Sequence, residues 1–208
     1  SDFSYELRNG NHIPALGLGT WALRGERCRI IVKRAIELGY THIDTADAYG
    51  NHHEVGEAIK GFDRSSFFLV SKVRPSNLHY RTVIRDCERM LKELNTPYLD
   101  LFLIHWPNRN IPIHDTLRGF YELVDEGKIK SIGVSNFSNQ QLAEALRTET
   151  HPITNNQVLL HPYDFDQDLL DFCSKNKVIV TAYTSLGRGS ILTNPVIQDL
   201  TITYKRTP

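Results

Sequence analysis

Short apolar runs alternate along the chain with segments in which apolar residues recur every three or four positions. This alternation extends from about residue 16 to about residue 183 and is typical of repeated strand and helix units, which build a parallel sheet. Strand-like runs occur at residues 16–21, 41–46, 67–73, 99–106, 129–135, 154–160 and 178–184. A helix-like segment separates each consecutive pair. The pattern therefore predicts an α/β fold with a parallel sheet or barrel of seven strands.

Helix-like segments are recognised by the spacing of their apolar residues. One apolar face is formed by Val83, Cys87, Met90, Leu91 and Leu94. Asn95 and Pro97 predict its end. Residues 117–124 repeat the pattern before Gly127, and Ser138 with Gln141 forms a capping box that predicts the start of another helix.

The two ends of the chain depart from the repeat. Asn9 and Gly10 lie between short apolar stretches and predict a β-hairpin. After Tyr183 a loop leads to a short stretch at residues 196–204, in which we identify no eighth strand. A closed barrel of this kind has eight strands, and unpaired edges favour aggregation. We therefore expect residues 1–208 to form one incomplete barrel domain, truncated before its eighth strand.

Composition and charge indicate what kind of molecule this protein binds and in which compartment it resides. The chain has 208 residues, with 24 lysines and arginines against 24 aspartates and glutamates, so no general attraction to nucleic acid or to an anionic membrane is expected. We expect a small-molecule partner and, for a complete chain, a monomer. Three widely spaced cysteines without a CxxC pair predict reduced thiols. With neither a signal-peptide pattern nor a membrane-spanning run, these features predict a soluble cytoplasmic protein.

Four side chains suited to acid/base chemistry fall at or just after predicted strand ends. Asp44, Lys72 and His105 each lie at the C-terminal end of a strand-like run, within its last three residues, and Tyr49 follows Asp44 by five positions. In parallel sheets and barrels, the C-terminal ends of the strands build the site. These four residues are therefore predicted to share one site.

Several motifs around these residues resemble one family. The segments His42-Ile-Asp-Thr-Ala-Asp-Ala-Tyr-Gly-Asn, Leu103-Ile-His-Trp-Pro and Ile132-Gly-Val-Ser-Asn-Phe, in this order, resemble the signature stretches of the aldo-keto reductase family. The resemblance implies a (β/α)₈ TIM barrel whose floor is closed by an N-terminal hairpin. It also implies an oxidoreductase that reduces aldehydes and ketones to alcohols with a nicotinamide cofactor. A short loop after the fourth strand resembles the bacterial-type members.

By this resemblance, Asp44, Tyr49, Lys72 and His105 would be the catalytic tetrad. Hydride arriving at a carbonyl carbon leaves negative charge on oxygen, so Tyr49 would supply a proton. Lys72 would favour the phenolate and make Tyr49 more acidic, while Asp44 would hold the ammonium in place. His105 would donate a hydrogen bond to the substrate oxygen.

The resemblance also implies cofactor contacts. Ser135, Asn136 and Gln157 would hold the nicotinamide carboxamide, Tyr183 would stack on its ring, and Asp44 lies beside it. Positions near the cofactor phosphates are Thr20, Thr184 and Leu186. NADPH is the expected cofactor, with NADH possible.

Aromatic and glycine positions add two further expectations. Trp21 and Trp106 would line an apolar substrate pocket. Gly17 and Gly19 follow no GxGxxG pattern, so we interpret them as sites of tight barrel packing rather than a phosphate loop.

Some alternatives remain open from the sequence. The barrel also occurs as a non-catalytic cofactor-binding regulatory subunit, and the chain alone could be an inactive fragment of a reductase. His52 stands where the family usually has glutamate. We expect His52 and His53 to lie on an exposed helix turn and predict no metal site.

Overall fold

The computed structural model describes residues 3–208, and a parallel sheet forms their centre. An antiparallel hairpin comes first, with strands β1 (Ser4–Glu6) and β2 (His12–Pro14). The parallel sheet follows, and each of its strands pairs with the next one along the chain. Its strands are β3 (Leu18–Gly19), β4 (His42–Asp44), β5 (Phe68–Val73), β6 (Leu101–Ile104), β7 (Ile132–Ser135), β8 (Ile153–Leu159) and β9 (Ile179–Tyr183).

Helices alternate with the parallel strands, which confirms the predicted α/β barrel of seven strands. The helices are α1 (Gly25–Glu37), α2 (His52–Ile59), α3 (Tyr80–Glu93), α4 (Ile113–Asp125), α5 (Asn139–Thr148), α6 (Gln167–Lys175) and α7 (Pro195–Tyr204). No helix within residues 3–208 combines the length and the apolar character that a membrane crossing requires.

Differences from the predicted elements occur at the edges of the sheet. The predicted strand 16–21 is reduced to β3, which pairs only with β4 and therefore has ladder hydrogen bonds on one side. Residues 196–204 belong to helix α7, where Asn194 caps the first turn and Pro195 takes the first helical position. Within residues 3–208 the parallel sheet thus has two edges, β3 and β9.

The helix predictions rest on local signals that tertiary packing preserves. The five apolar residues predicted to form one face of α3 are all buried, and Leu94 is the C-cap. At the start of α5, the Ser138 side chain accepts from the backbone of Gln141 and the Gln141 side chain accepts from the backbone of Ser138, which is the predicted capping box.

The hairpin closes the N-terminal end of the barrel. Leu7 and Ile13 are buried, and they form a small core inside the barrel with Phe68, Val70, Leu101 and Leu103. The larger core lies between the sheet and the helices. This arrangement agrees with the expected hairpin floor and leaves the opposite rim, where the parallel strands end, open for a site.

The two glycines near β3 differ from one another. A methyl group added at Gly17 would lie 2.9 Å from Cγ of His42, so this position is tightly packed, as predicted. At Gly19 such a group would meet nothing within 4 Å. The packing interpretation is therefore wrong for Gly19, because its Cβ direction faces open space at the sheet edge.

This difference provides a stability test. Gly17→Ala should lower the free energy of unfolding by about 1–3 kcal/mol, because the added methyl group displaces the His42 ring. Gly19→Ala is the matched control and should change it by less than about 0.5 kcal/mol. Urea unfolding monitored by circular dichroism measures both values. Equal losses in the two variants would contradict this account of the packing.

Candidate active site

Lys72 is the centre of the polar cluster at the C-terminal rim of the barrel. Its side chain is fully buried, since β5 lies between β4 and β6 in the barrel wall and Lys72 points into the barrel. The ammonium forms an ion pair with the Asp44 carboxylate and donates to the Thr45 carbonyl oxygen at 3.0 Å. It also lies 3.3 Å from the Tyr49 hydroxyl oxygen. A buried ammonium has three protons to satisfy, and these oxygens satisfy all three.

Asp44 connects opposite sides of the barrel. It is the last residue of β4, and its side chain is almost completely buried. One carboxylate oxygen is paired with Lys72, and the other accepts from Nε2 of Gln157 at 2.7 Å. The carboxylate is therefore held in one orientation from two sides.

Tyr49 lies in a 3₁₀ turn (Asp47–Tyr49) immediately before α2. Its ring stands edge-on to the His105 ring, with 5.7 Å between the ring centroids. Burial raises the pKa of Tyr49 and outweighs the opposing effect of Lys72, while Asp44 adds to the rise. The expectation that Tyr49 is more acidic than an ordinary tyrosine is therefore wrong for the protein alone, since burial outweighs the positive charge of Lys72 and Asp44 offsets part of that charge.

His105 follows β6 at the same rim, and its backbone N–H donates to the Val73 carbonyl oxygen at 3.1 Å. Burial, together with the nearby Lys72 charge, lowers the pKa of His105 from 6.5 to about 4. The imidazole is thus neutral at neutral pH and keeps one N–H to donate.

A cavity of about 900 Å³ opens beside these groups and extends to the hairpin, where Tyr5 and Ile13 line it. Of the predicted catalytic residues, Asp44, Tyr49 and His105 line it, while Lys72 lies behind them. Both tryptophans of the predicted pocket also line it, and both are partly exposed. The predicted cofactor residues that line it are Ser135, Asn136, Gln157, Tyr183 and Thr184.

Polar groups on one side of the cavity are linked to each other. The Tyr183 hydroxyl donates to Oδ1 of Asn136 at 2.7 Å, and Nδ2 of Asn136 donates to the His105 carbonyl oxygen at 3.1 Å. The Ser135 hydroxyl donates to the Gln157 carbonyl oxygen at 2.7 Å. Hydroxyl and amide groups of this kind can donate hydrogen bonds to a carboxamide and accept them from it, and the Tyr183 ring offers an aromatic face. These residues therefore fit the nicotinamide end of a dinucleotide.

Two residues with an uncommon backbone conformation lie at the same place. Asn136 and Thr184 directly follow β7 and β9, and both have left-handed backbone conformations, with φ of 62° and 55°. This region is costly for a β-branched residue such as Thr184. Strain of this type clusters at binding sites, where it aims side chains or backbone N–H groups at a ligand.

Two residues predicted to lie near the cofactor phosphates, Thr20 and Leu186, are absent from the cavity lining. Thr20 is fully buried, and its hydroxyl donates to the Asp44 carbonyl oxygen at 3.0 Å, so it supports β4 and does not line the cavity. Leu186 is exposed outside the cavity lining. Arg188, which sequence reasoning missed, lines the cavity with its guanidinium 5.2 Å from the centre of the Trp21 ring. A basic residue between two glycines was the available signal.

The adjacent histidines at the start of α2 have different environments. His53 is exposed, as expected, but His52 is buried, so the prediction of an exposed turn is wrong for His52. Its ring nitrogens lie 2.9 Å from Glu93 and 2.8 Å from the Ser71 hydroxyl oxygen. Adjacent residues on a helix point in directions about 100° apart, which places only one of them against the barrel.

Comparisons with known proteins identify relatives of this chain. The family model described as the aldo/keto reductase family matches residues 15–205. An aldo-keto reductase of Mycolicibacterium smegmatis is 39% identical over 205 residues, which cover 97% of this chain and 74% of that protein. The glyoxal reductase of Bacillus subtilis is 38% identical over 199 residues, which cover 94% of this chain and 71% of that protein.

Solved structures are similar as well. A thermostable aldo-keto reductase in complex with the inhibitor epalrestat matches with a TM-score of 0.92 and 42% identity, covering 99% of this chain and 81% of that one. The aldose reductase of Schistosoma japonicum matches with a TM-score of 0.94 and 33% identity, covering 99% of this chain and 76% of that one. From the family model, the sequence relatives and the shared barrel together, the chain belongs to the aldo-keto reductase family.

Proposed function

We propose that this protein reduces the carbonyl group of a small aldehyde or ketone with NADPH, using Tyr49 as the proton donor. Membership of the family already makes it an oxidoreductase that uses a nicotinamide cofactor on small carbonyl substrates. The observation that carries the finer proposal is the contact between Lys72 and Tyr49. The ammonium lies 3.3 Å from the phenol oxygen, and the hydroxyl faces a cavity that His105 also lines.

Tyr49 is suited to give a proton because it starts as a neutral phenol. Burial raises the pKa of Tyr49, so the hydroxyl keeps its proton at neutral pH until a stronger base forms beside it. An alkoxide produced by hydride arrival is such a base. Once the proton has moved, the phenolate lies beside the Lys72 ammonium, which stabilises it.

His105 would share the substrate oxygen with Tyr49. Its neutral ring lies edge-on to the phenol and donates an N–H to oxygen without bringing a second positive charge near Lys72. A fixed donor of this kind stabilises negative charge as it develops on the oxygen.

Cofactor binding is proposed for the groups on the opposite side of the cavity. The cofactor supplies the hydride when bound. Ser135, Asn136 and Gln157 would hold its carboxamide, and Tyr183 would lie against its ring. We propose Arg188 as a cation for the cofactor phosphates, including the additional phosphate that distinguishes NADPH from NADH.

The compartment is a further proposal. Three cysteines, at positions 28, 87 and 173, are free and buried, which suits a reducing compartment such as the cytoplasm.

Tyr49→Phe tests the proton donor. Loss of the hydroxyl should lower kcat by about 10²-fold or more, because the alkoxide then lacks its positioned acid. The rate is measured as the loss of NADPH absorbance in the presence of a reactive aromatic aldehyde. Tyr204→Phe is the matched control, since Tyr204 is exposed on α7 and should retain the parent rate. Unchanged reduction by Tyr49→Phe would refute the role of Tyr49.

The low pKa of His105 predicts how stability depends on pH. The folded protein keeps His105 neutral down to about pH 4, whereas the unfolded chain binds a proton near its ordinary value of 6.5. The free energy of unfolding should therefore fall as the pH decreases from 6.5 towards 4. His105→Asn should reduce this dependence, as measured by urea unfolding across that pH range. If the free energy of unfolding had the same pH dependence in the parent and in His105→Asn, the lowered pKa of His105 would be contradicted.

Arg188→Gln tests the cofactor side of the cavity. Removal of a cation that contacts phosphate should raise the Kd for NADPH by about tenfold or more, because charge-assisted hydrogen bonds contribute about 1.5–3 kcal/mol each. Fluorescence titration with NADPH and NADH gives both affinities. Arg81→Gln, on the exposed side of α3, is the control. An unchanged Kd in Arg188→Gln would exclude this residue from phosphate binding.

A further inference from the structure

A continuous series of hydrogen bonds runs behind the proposed catalytic groups, on the helix side of the sheet. From one end to the other it consists of Ser71, His52, Glu93, Arg89, Asp47 and Arg74. Ser71 lies in β5, and Arg74 is the residue that directly follows this strand. The series therefore leaves the strand on one side of Lys72 and returns to the chain on the other.

His52 connects three elements in this series. It is the first residue of α2, and its two ring nitrogens reach Ser71 of β5 at 2.8 Å and Glu93 of α3 at 2.9 Å. Ser71 is fully buried and directly precedes Lys72. His52 itself follows Tyr49 by three residues, so one imidazole ties the strand of Lys72 to the turn of Tyr49.

The remaining members clamp the turn itself. Arg89 pairs with Glu93 at 2.8 Å and with Asp47 at 2.7 Å. Arg74 binds the other carboxylate oxygen of Asp47 at 2.5 Å and its carbonyl oxygen at 2.9 Å. Asp47 begins the 3₁₀ turn that carries Tyr49. The turn is consequently fixed on one side by Asp47 and on the other by His52.

The neutral form of His52 satisfies both contacts. Burial lowers the pKa of His52, although Glu93 opposes the change. Burial opposes ionisation of Glu93, but Arg89 and His52 hold its pKa below the ordinary value. An ionised carboxylate only accepts hydrogen bonds, so Nδ1–H of His52 donates to Glu93 and Nε2 accepts from the Ser71 hydroxyl.

The order Ser71, His52, Glu93 matches that of a serine hydrolase triad, but its position excludes this activity. Ser71 has no exposed surface, and it does not line the cavity. Its hydroxyl instead faces His52 and the sulfur of Met90. A nucleophile needs access to its substrate, and the contacts of Ser71 give it none.

We propose that His52 is a positioning residue that sets the contact between Lys72 and Tyr49 through Ser71 and Glu93. The inference rests on the proposed function, because it assigns His52 a part in the same reaction. His52 does not line the cavity, and its side-chain hydrogen bonds go to Glu93 and Ser71 rather than to a proposed catalytic residue. Its effect passes through the strand before Lys72 and through the helix start after Tyr49.

Three substitutions separate the two contacts. His52→Leu removes both. His52→Asn retains an amide near the place of Nδ1, towards Glu93, and His52→Gln retains one near the place of Nε2, towards Ser71. We expect kcat to fall about tenfold or more in His52→Leu and less in the two amide variants, with the KM for NADPH changed by less than about twofold. His53→Leu is the matched control, since His53 is exposed.

Ser138→Ala is the control for a purely structural role of His52, because it shows how loss of stability alone affects kcat. This variant loses the N-cap of α5, which should cost about 1 kcal/mol of stability without any change in kcat. Thermal unfolding establishes the folded fraction of each variant, and kcat is expressed per folded protein. If His52→Leu and both amide variants kept the parent kcat once corrected for folding, His52 would be structural only and the proposal would be overturned.

A second measurement does not need turnover. With ¹³C-labelled tyrosine, the Tyr49 resonance is identified by its absence in Tyr49→Phe, and its titration reports the pKa of Tyr49. Because Lys72 lowers this pKa, a looser contact in His52→Leu should raise it further, whereas His53→Leu should leave it unchanged. If the pKa of Tyr49 were the same in the parent protein and in His52→Leu, the proposal would be overturned. An inactive parent chain with a His52-dependent titration would instead refute the proposed function alone.

Discussion

The buried charge of Lys72 is the constraint on which the site depends. An ammonium inside a barrel of apolar side chains is stable only when its protons and its charge are compensated, and removal of one partner from a buried ion pair costs about 3–5 kcal/mol. Asp44, the Thr45 carbonyl and Tyr49 provide that compensation. They belong to the end of one strand and the turn after it, so the charge on β5 fixes where the neighbouring β4 segment ends and how its turn is folded.

Burial, together with this ion pair, sets the acid strength of Tyr49. A lone ammonium beside a phenol would make the phenol more acidic, but Asp44 makes the pair nearly neutral, and burial then raises the pKa of Tyr49. In the same environment the pKa of His105 is lowered, because burial and the charge of Lys72 both disfavour its protonated form. A neutral phenol and a neutral imidazole, each with a proton to donate, therefore follow mainly from burial, and the nearly neutral ion pair beside them does not reverse it.

Features set by neighbouring residues could be predicted from the sequence, and features set across the fold could not. The α3 face, the Ser138 capping box and the clustering of strand-end residues follow from periodicity, local hydrogen bonding and the parallel order of the strands. The burial of His52 could not be predicted, because it depends on Glu93 and Ser71 from other elements. The open space beside Gly19 could not be predicted for a similar reason, since motif position does not reveal which way a residue faces at a sheet edge.

The pleat of β5 explains how one strand serves both sides of the barrel wall. Successive side chains of a strand point to opposite faces, so Lys72 points into the barrel while Ser71 points towards the helices. The inner side chain meets Asp44 and Tyr49, and the outer one meets His52. A shift of the strand that disturbs one face must therefore disturb the other. The contact between His52 and Ser71 lies on the helix side of the strand and has no surface on the cavity. It can in this way fix the position of the Lys72 ammonium next to the Tyr49 hydroxyl.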